Sequence, residues 1–187
     1  MVKRALTTLL MFILTTPFVE AAQCSQRGWK KLQSYQLELE SYYNTRATQY
    51  NALLGIHKQR RLLSQQFTFE ELVQLWQHAD PIYHRDFEQQ IRSARQYANA
   101  VTSLKQQLVD KQQEAKTMAQ SWFAMADECK QQKHTANFNS ALWYSRSSKD
   151  LAQELAKLEQ KFTLLGHIYE KEATQLESAQ LYSGQTN

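Results

Sequence analysis

The sequence predicts an all-α protein: an elongated, coiled-coil-like antiparallel bundle of three long helices plus one short helix, behind a cleaved signal peptide. Three observations carry this expectation. The chain has 187 residues but only 4 Gly and 2 Pro. It therefore lacks the turn residues that a strand-rich fold needs every 8–12 positions or so, and collagen-like and Gly/Ser-linker classes are excluded with it. Gln occurs 25 times and is well tolerated inside helices. Apolar residues also recur at heptad spacing over long stretches, which drives a supercoiled seam between helices.

The N-terminus reads as a targeting segment. Lys3 and Arg4 form a basic start, Ala5–Leu14 is apolar apart from Thr7 and Thr8, and Pro17 breaks the run. Val19-Glu20-Ala21 fits the small-residue rule for signal peptidase, so cleavage is expected after Ala21, with Ala22 the second choice. The apolar run is about half of the roughly 20 residues needed to cross a bilayer. A lipidated Cys24 is the lesser alternative, because Gln23 stands where a small residue normally precedes the modified cysteine. The expected division is thus 1–21 signal peptide and 22–187 a single helical-bundle domain. Removing Lys3, Arg4 and Glu20 takes the net charge from +4 to +3. Such dispersed basicity excludes a nucleic-acid footprint.

Helix by helix, the pattern is as follows. From Gly28 to about Ser64 no proline intervenes; Leu32, Leu39 and Leu53 share one heptad position, and Tyr43 and Tyr50 a neighbouring one. Thr68 and Glu71 make a capping box, with Phe67 and Leu72 placed as its hydrophobic staple, so a short helix is expected over about 69–79. Asp80-Pro81 then starts a long helix, Asp as cap and Pro at the first helical position. Phe87, Ala94, Val101, Leu108, Ala115, Trp122 and Cys129 recur every seven residues along it. The pattern lapses over Lys133–Ser140, which reads as the turn. A last helix is expected from about Ser140 to Tyr182, carried by Leu151, Leu158, Leu165 and by Leu155, Phe162, Tyr169, Leu176, with Gly184 as its stop.

Two cysteines remain after cleavage, Cys24 and Cys129, and an exported pair is normally bridged. The helix lengths bring both to the same end, so a Cys24–Cys129 disulfide is expected. The same ruler sets the first and last long helices parallel, residue n level with about n+112. Gly55 then falls level with Gly166, either as a close backbone approach or as two unrelated glycines, and His57 falls near His167. Trp29, Trp122 and Trp143 gather with Phe123, Phe138 and Tyr144 at the disulfide end. This aromatic end reads as either a core plug or a partner-binding patch, since Trp and Tyr are enriched at binding hot spots. Trp76 and Tyr83 mark the other end.

The chemistry-bearing motifs are missing. No HExxH, CxxC, GxSxG or phosphate-cradling glycine loop occurs, and none of the five histidines has Glu three residues before it, as a di-metal carboxylate bundle requires. His78, Asp80 and His84 could bind Zn or Cu weakly, and Lys58, Arg60 and Arg61 form a basic knot that reads as a solvated helix end, with anionic lipid or an acidic partner as the lesser reading. The sequence therefore points away from an enzyme, with no catalytic residues, cofactor or metal expected. It points to a periplasmic or secreted protein of a bacterial envelope that binds a protein partner in a secretion, conjugation or surface-assembly system. No stable membrane span is expected after cleavage, and self-association stays open. A periplasmic holdase chaperone is the alternative, and a metal-responsive module the third reading.

Overall fold

The computed structural model describes residues 24–78 and 81–185. The expected signal peptide and the capping role of Asp80 lie outside these. Five helices follow in order: α1 (Gln26–Gln59), α2 (Leu63–Gln66), α3 (Phe69–His78), α4 (Pro81–Gln131) and α5 (Thr135–Gln185). The chain is an all-α bundle, as the composition and heptads predict. No described helix is long and apolar enough to cross a membrane.

The frame is the antiparallel hairpin of α4 and α5. Each has 51 residues, or roughly 75 Å at 1.5 Å per residue. The predicted heptads become its seam: Ala94, Val101, Leu108, Ala115, Trp122 and Cys129 on α4, and Leu151, Leu155, Leu158, Phe162, Leu165, Tyr169 and Leu176 on α5, are all buried. Each large apolar side chain so buried contributes on the order of 1.5–3 kcal/mol. The two positions that break the α4 repeat, Lys105 and Gln112, stay half-buried at its margin. Lys105 reaches Glu159 on α5 at 3.7 Å.

The α4–α5 turn is much shorter than the predicted Lys133–Ser140. Its backbone closes as a Schellman motif, with His134 N–H donating to the Cys129 carbonyl at 2.9 Å and Lys133 N–H to that of Lys130 at 3.0 Å. Lys133 occupies the left-handed position with φ 60°, where glycine is usual. Helix α5 therefore resumes at Thr135 and absorbs Asn137 and Asn139. At its far end Gly184 does not stop it; the helix continues to Gln185.

Helix α1 lies against this hairpin, parallel to α5. Ser25 caps it, accepting from Gly28 N–H at 3.1 Å. The disulfide Cys24–Cys129 ties its start to the end of α4, joining residues 105 apart in sequence with Cα atoms 5.0 Å apart. The register is the predicted one. Ser148 Oγ donates to Gln36 Oε1, and His57 Nδ1 lies 3.3 Å from Tyr169 Oη, both pairs 112 residues apart.

The first helix does not run on to Ser64. It ends at Gln59, and Arg60 and Leu62 are extended, with φ/ψ of −84°/134° and −100°/120°. Leu62 is driven into the core, 3% exposed. The chain restarts as α2, whose first two amides, Leu63 and Ser64, both donate to the Glu172 carboxylate of α5 at 2.9 Å. The predicted capping box then starts α3: Thr68 N–H donates to Glu71 Oε2 at 2.8 Å and Glu71 N–H to Thr68 Oγ1 at 3.3 Å. Leu72, Val73 and Trp76 of α3 bury against Ile91, Leu176 and Ala179, forming a second, smaller core.

Candidate functional site

The six aromatic residues expected at the disulfide end divide into two sets. Trp122 is fully buried. Its indole stacks on Tyr144 with centroids 4.5 Å apart and receives Trp29 edge-on at 5.1 Å. Phe138 is half-buried, with Lys130 Nζ 5.9 Å from its ring centroid. These four close the bundle behind the disulfide and behave as a plug. Phe123 and Trp143 do not join it: they are 51% and 62% exposed. Trp143 meets Tyr144 in a T-shaped contact, with centroids 5.1 Å apart.

The opposite end exposes more apolar surface. Phe67 and Phe69, flanking the α2–α3 junction, are partly exposed; Tyr83 near the start of α4 is 58% exposed, and Leu181 and Tyr182 at the end of α5 are 70% and 52% exposed. Phe69 packs edge-on to Tyr182 at 6.1 Å. Beside them lies a concavity of about 550 Å³ with Phe67, Leu75, Tyr83 and Phe87 among its walls. Phe87 is in turn packed on buried Trp76, tilted against it at 5.2 Å, and Trp76 stacks on His84 at 5.4 Å. His84 Nε2 lies 2.7 Å from the Trp76 carbonyl oxygen. A carbonyl only accepts, so this nitrogen carries the proton and is committed. His78 lines the concavity, and the third member of the predicted trio, Asp80, is outside the described residues. Among the described residues no cluster of three or more metal-ligating side chains occurs.

Between the two ends, a polar node fastens α1 to the hairpin. Glu172 is fully buried and, besides the two amides, accepts from Gln90 Nε2 at 3.1 Å. Arg60 donates to Ser93 Oγ at 3.0 Å and lies 5.0 Å and 5.6 Å from the ring centroids of Tyr97 and Tyr169. The predicted basic knot is thus split: Arg60 turns inward, while Lys58 and Arg61 stay exposed. Tyr97 donates to the Leu53 carbonyl at 2.6 Å. Burial pushes its phenol up to about 12 and raises that of Tyr169 as well, with Arg60 opposing both. On the hairpin's flank Arg95 bridges Glu170 and Glu177, and its hydrogen bond holds the Glu177 carboxyl below its usual range.

The predicted Gly55–Gly166 level has no backbone contact in it. A methyl group built on Gly55 would meet nothing within 4 Å, whereas one on Gly166 would meet Val101 of α4 at 3.4 Å. Near this level α1 meets α5 through His57 and Tyr169 instead, with ring centroids 5.6 Å apart. His167 is exposed and lines a small cleft with α4 instead of meeting His57.

No protein-family model, no curated protein and no solved structure matches this chain. The molecule's own surfaces are what speak for its function.

Sequence reasoning placed Trp76 and Tyr83 at the second end but overlooked the apolar cluster there. The signal was present. Phe67 and Phe69 bracket a helix cap, where apolar residues have no seam to fill, and Leu181 and Tyr182 are adjacent, so one helix face cannot bury both.

Proposed function

We propose that this chain is an exported, non-enzymatic protein of a bacterial envelope that binds one partner protein through its α3 end, as a component of a secretion, conjugation or surface-assembly system. One observation carries the reading. Exposed Phe67, Phe69, Tyr83, Leu181 and Tyr182 gather at a single end beside a concavity of about 550 Å³. Clustered exposed apolar side chains with a polar surround mark interaction sites, and an aromatic anchor in a pocket is the usual form of a hot spot. Export is supported by the signal-like N-terminus and by a disulfide, which persists in oxidising compartments. The aromatic plug is a weaker candidate, because Trp29, Trp122 and Tyr144 spend their surface on one another. A holdase would need a wide apolar cradle for unfolded chains; the groove of about 600 Å³ between α1 and α4 has carboxylates along its rim.

The test is site-specific photocrosslinking in cells, with the reactive residue at Tyr83, at Trp143 and at the exposed control Gln106. A single adduct at Tyr83, lost on Leu181→Asp, is the expected result. An adduct at Trp143 alone would move the site to the disulfide end. A ladder of adducts at all three positions would speak for a holdase.

A further inference from the structure

A second surface, independent of the α3 end, has a chemistry of its own. It is the groove of about 600 Å³ between α1 and α4, within the size range of small-molecule sites. Leu39 and Met118 form its floor, each nearly fully buried, and Tyr35 and Tyr42 stand beside them. The rim carries Glu38, Asp110 and Glu114 against a single Lys111. The lining is therefore acidic on a chain whose net charge is +4.

The one cation of the lining is already committed. Lys111 Nζ is held by Glu114 Oε2 at 2.7 Å and lies 5.7 Å from the Tyr42 ring centroid. Arg46 approaches the same ring at 4.9 Å, so Tyr42 already serves as a cation acceptor. The Tyr42 hydroxyl is enclosed and finds no hydrogen-bond partner in the protein. Tyr35 is 43% exposed, and Glu38 and Asp110 have no ion-pair partner among the described residues. An apolar floor, aromatic walls and uncompensated carboxylates form a complement to one kind of molecule.

We infer that the α1–α4 groove binds a small amphipathic amine, an ammonium group carried on an apolar chain or ring. The apolar body lies over Leu39 and Met118. The ammonium meets the Glu38 and Asp110 carboxylates on the rim. Charge complementarity selects this occupant over a fatty acid or a neutral alcohol of the same length.

The experiment uses the full mature chain with labelled methionine methyls. Met118 lines the groove, and fully buried Met125 serves as the internal reference. Titration with hexylammonium should shift the Met118 methyl saturably and leave Met125 in place. Hexanol and hexanoate, with the same apolar body, should bind at least about fivefold more weakly. The double variant Glu38→Gln/Asp110→Asn, both residues exposed and so neutral for folding, should weaken hexylammonium by about fivefold, the range of an exposed charge pair. Four results would overturn the inference: no saturation within the solubility of the amine, equal affinity for hexanol, an unchanged double variant, or a Met118 signal that moves with protein concentration alone. The last would assign the groove to a second copy of the chain.

Discussion

Glu172 is the residue on which the path of the chain at the end of α1 depends, and its replacement is the sharpest test of the fold. It is completely buried and accepts three hydrogen bonds, from Leu63 N–H and Ser64 N–H at 2.9 Å and Gln90 Nε2 at 3.1 Å. Removing the acceptor orphans the two amides and takes one of two acceptors from Gln90 Nε2, which keeps the Arg61 carbonyl at 3.2 Å; each orphaned donor costs about 1–3 kcal/mol when it stays out of water. Partial exposure of Leu63 and Ser64 lets water recover part of this. Glu172→Ala should therefore destabilise by about 2–4 kcal/mol, the cost of two orphaned amides after that recovery. Glu172→Gln keeps the shape but turns an NH₂ toward one of the two backbone amides, a donor facing a donor, and should cost about 2–4 kcal/mol on the same reasoning. Glu170→Gln, on the exposed flank beside Arg95, should cost under about 1 kcal/mol. Urea unfolding followed by circular dichroism gives the magnitudes. Amide exchange at Leu63 and Ser64 gives the location, and should accelerate in both Glu172 variants. If Glu172→Gln stays within about 0.5 kcal/mol of the parent and both amides keep their protection, the carboxylate does not hold the break and the account above is wrong.

Three further outcomes are expected. Reducing the disulfide, or replacing Cys24 and Cys129 by Ser, frees a closure of 105 residues and should cost up to about 4.7 kcal/mol in the chain-entropy account; a melting temperature insensitive to reductant would contradict it. Trp122→Ala empties the plug and should cost about 3–5 kcal/mol, whereas Trp143→Ala should stay within about 0.5 kcal/mol, so equal losses in denaturant would refute the division of the aromatic end. Burial raises the Tyr97 phenol from 10.0 to about 12. A raised folded-state value favours the neutral phenol, so its contribution is complete below about pH 10 and is lost as pH climbs toward 12. Stability of Tyr97→Phe should fall less steeply across that window, and parallel slopes would remove Tyr97 as the alkaline trigger.

Much of the frame was legible because one kind of information, seven-residue periodicity, specifies which face of a helix is buried. Ala94 to Cys129 on α4 and Leu151 to Leu176 on α5 could be read off directly. Helix lengths then placed Cys24 beside Cys129 and set the 112-residue offset that pairs Gln36 with Ser148 and His57 with Tyr169. The failures share a cause as well. From Ile56 to Gln66 the chain has neither Gly nor Pro; the break after α1 is stabilised by an acceptor more than 100 residues away, Glu172, and no local pattern announces that. The α4–α5 turn uses Lys133 where glycine is customary, so the nearby asparagines drew the turn too far along the chain. Arg60 reads as solvated in the sequence because a charged residue at a helix end usually is, yet two tyrosine rings and Ser93 receive it.

The distribution of burial along α1 links these features to the surfaces. Its buried residues, Gly28, Leu32, Gln36 and Leu39, all belong to the first half of the helix. Beyond Leu39 it rests on half-buried side chains such as Tyr43, Tyr50 and Leu53, with Tyr50 edge-on to Phe162 at 5.3 Å. A helix so lightly buried is poorly held by hydrophobic contact alone, since stabilisation scales with the apolar area removed from water. Its position is set instead at the two ends, by the disulfide at Cys24 and by the Glu172 and Arg60 contacts where it breaks. The groove at Tyr35 and Tyr42 lies between the two clamps, beside buried Leu39. It also makes the apolar end dependent on the second clamp: Glu172 fixes α2, α2 leads into the Thr68–Glu71 cap, and the cap starts α3. The proposed partner-binding surface is thereby tied to a carboxylate that itself never reaches the surface. A substitution at Glu172 should disturb binding through α3 even though it touches no partner, whereas reducing the disulfide, at the far end of the rod, should loosen α1 before it alters that surface.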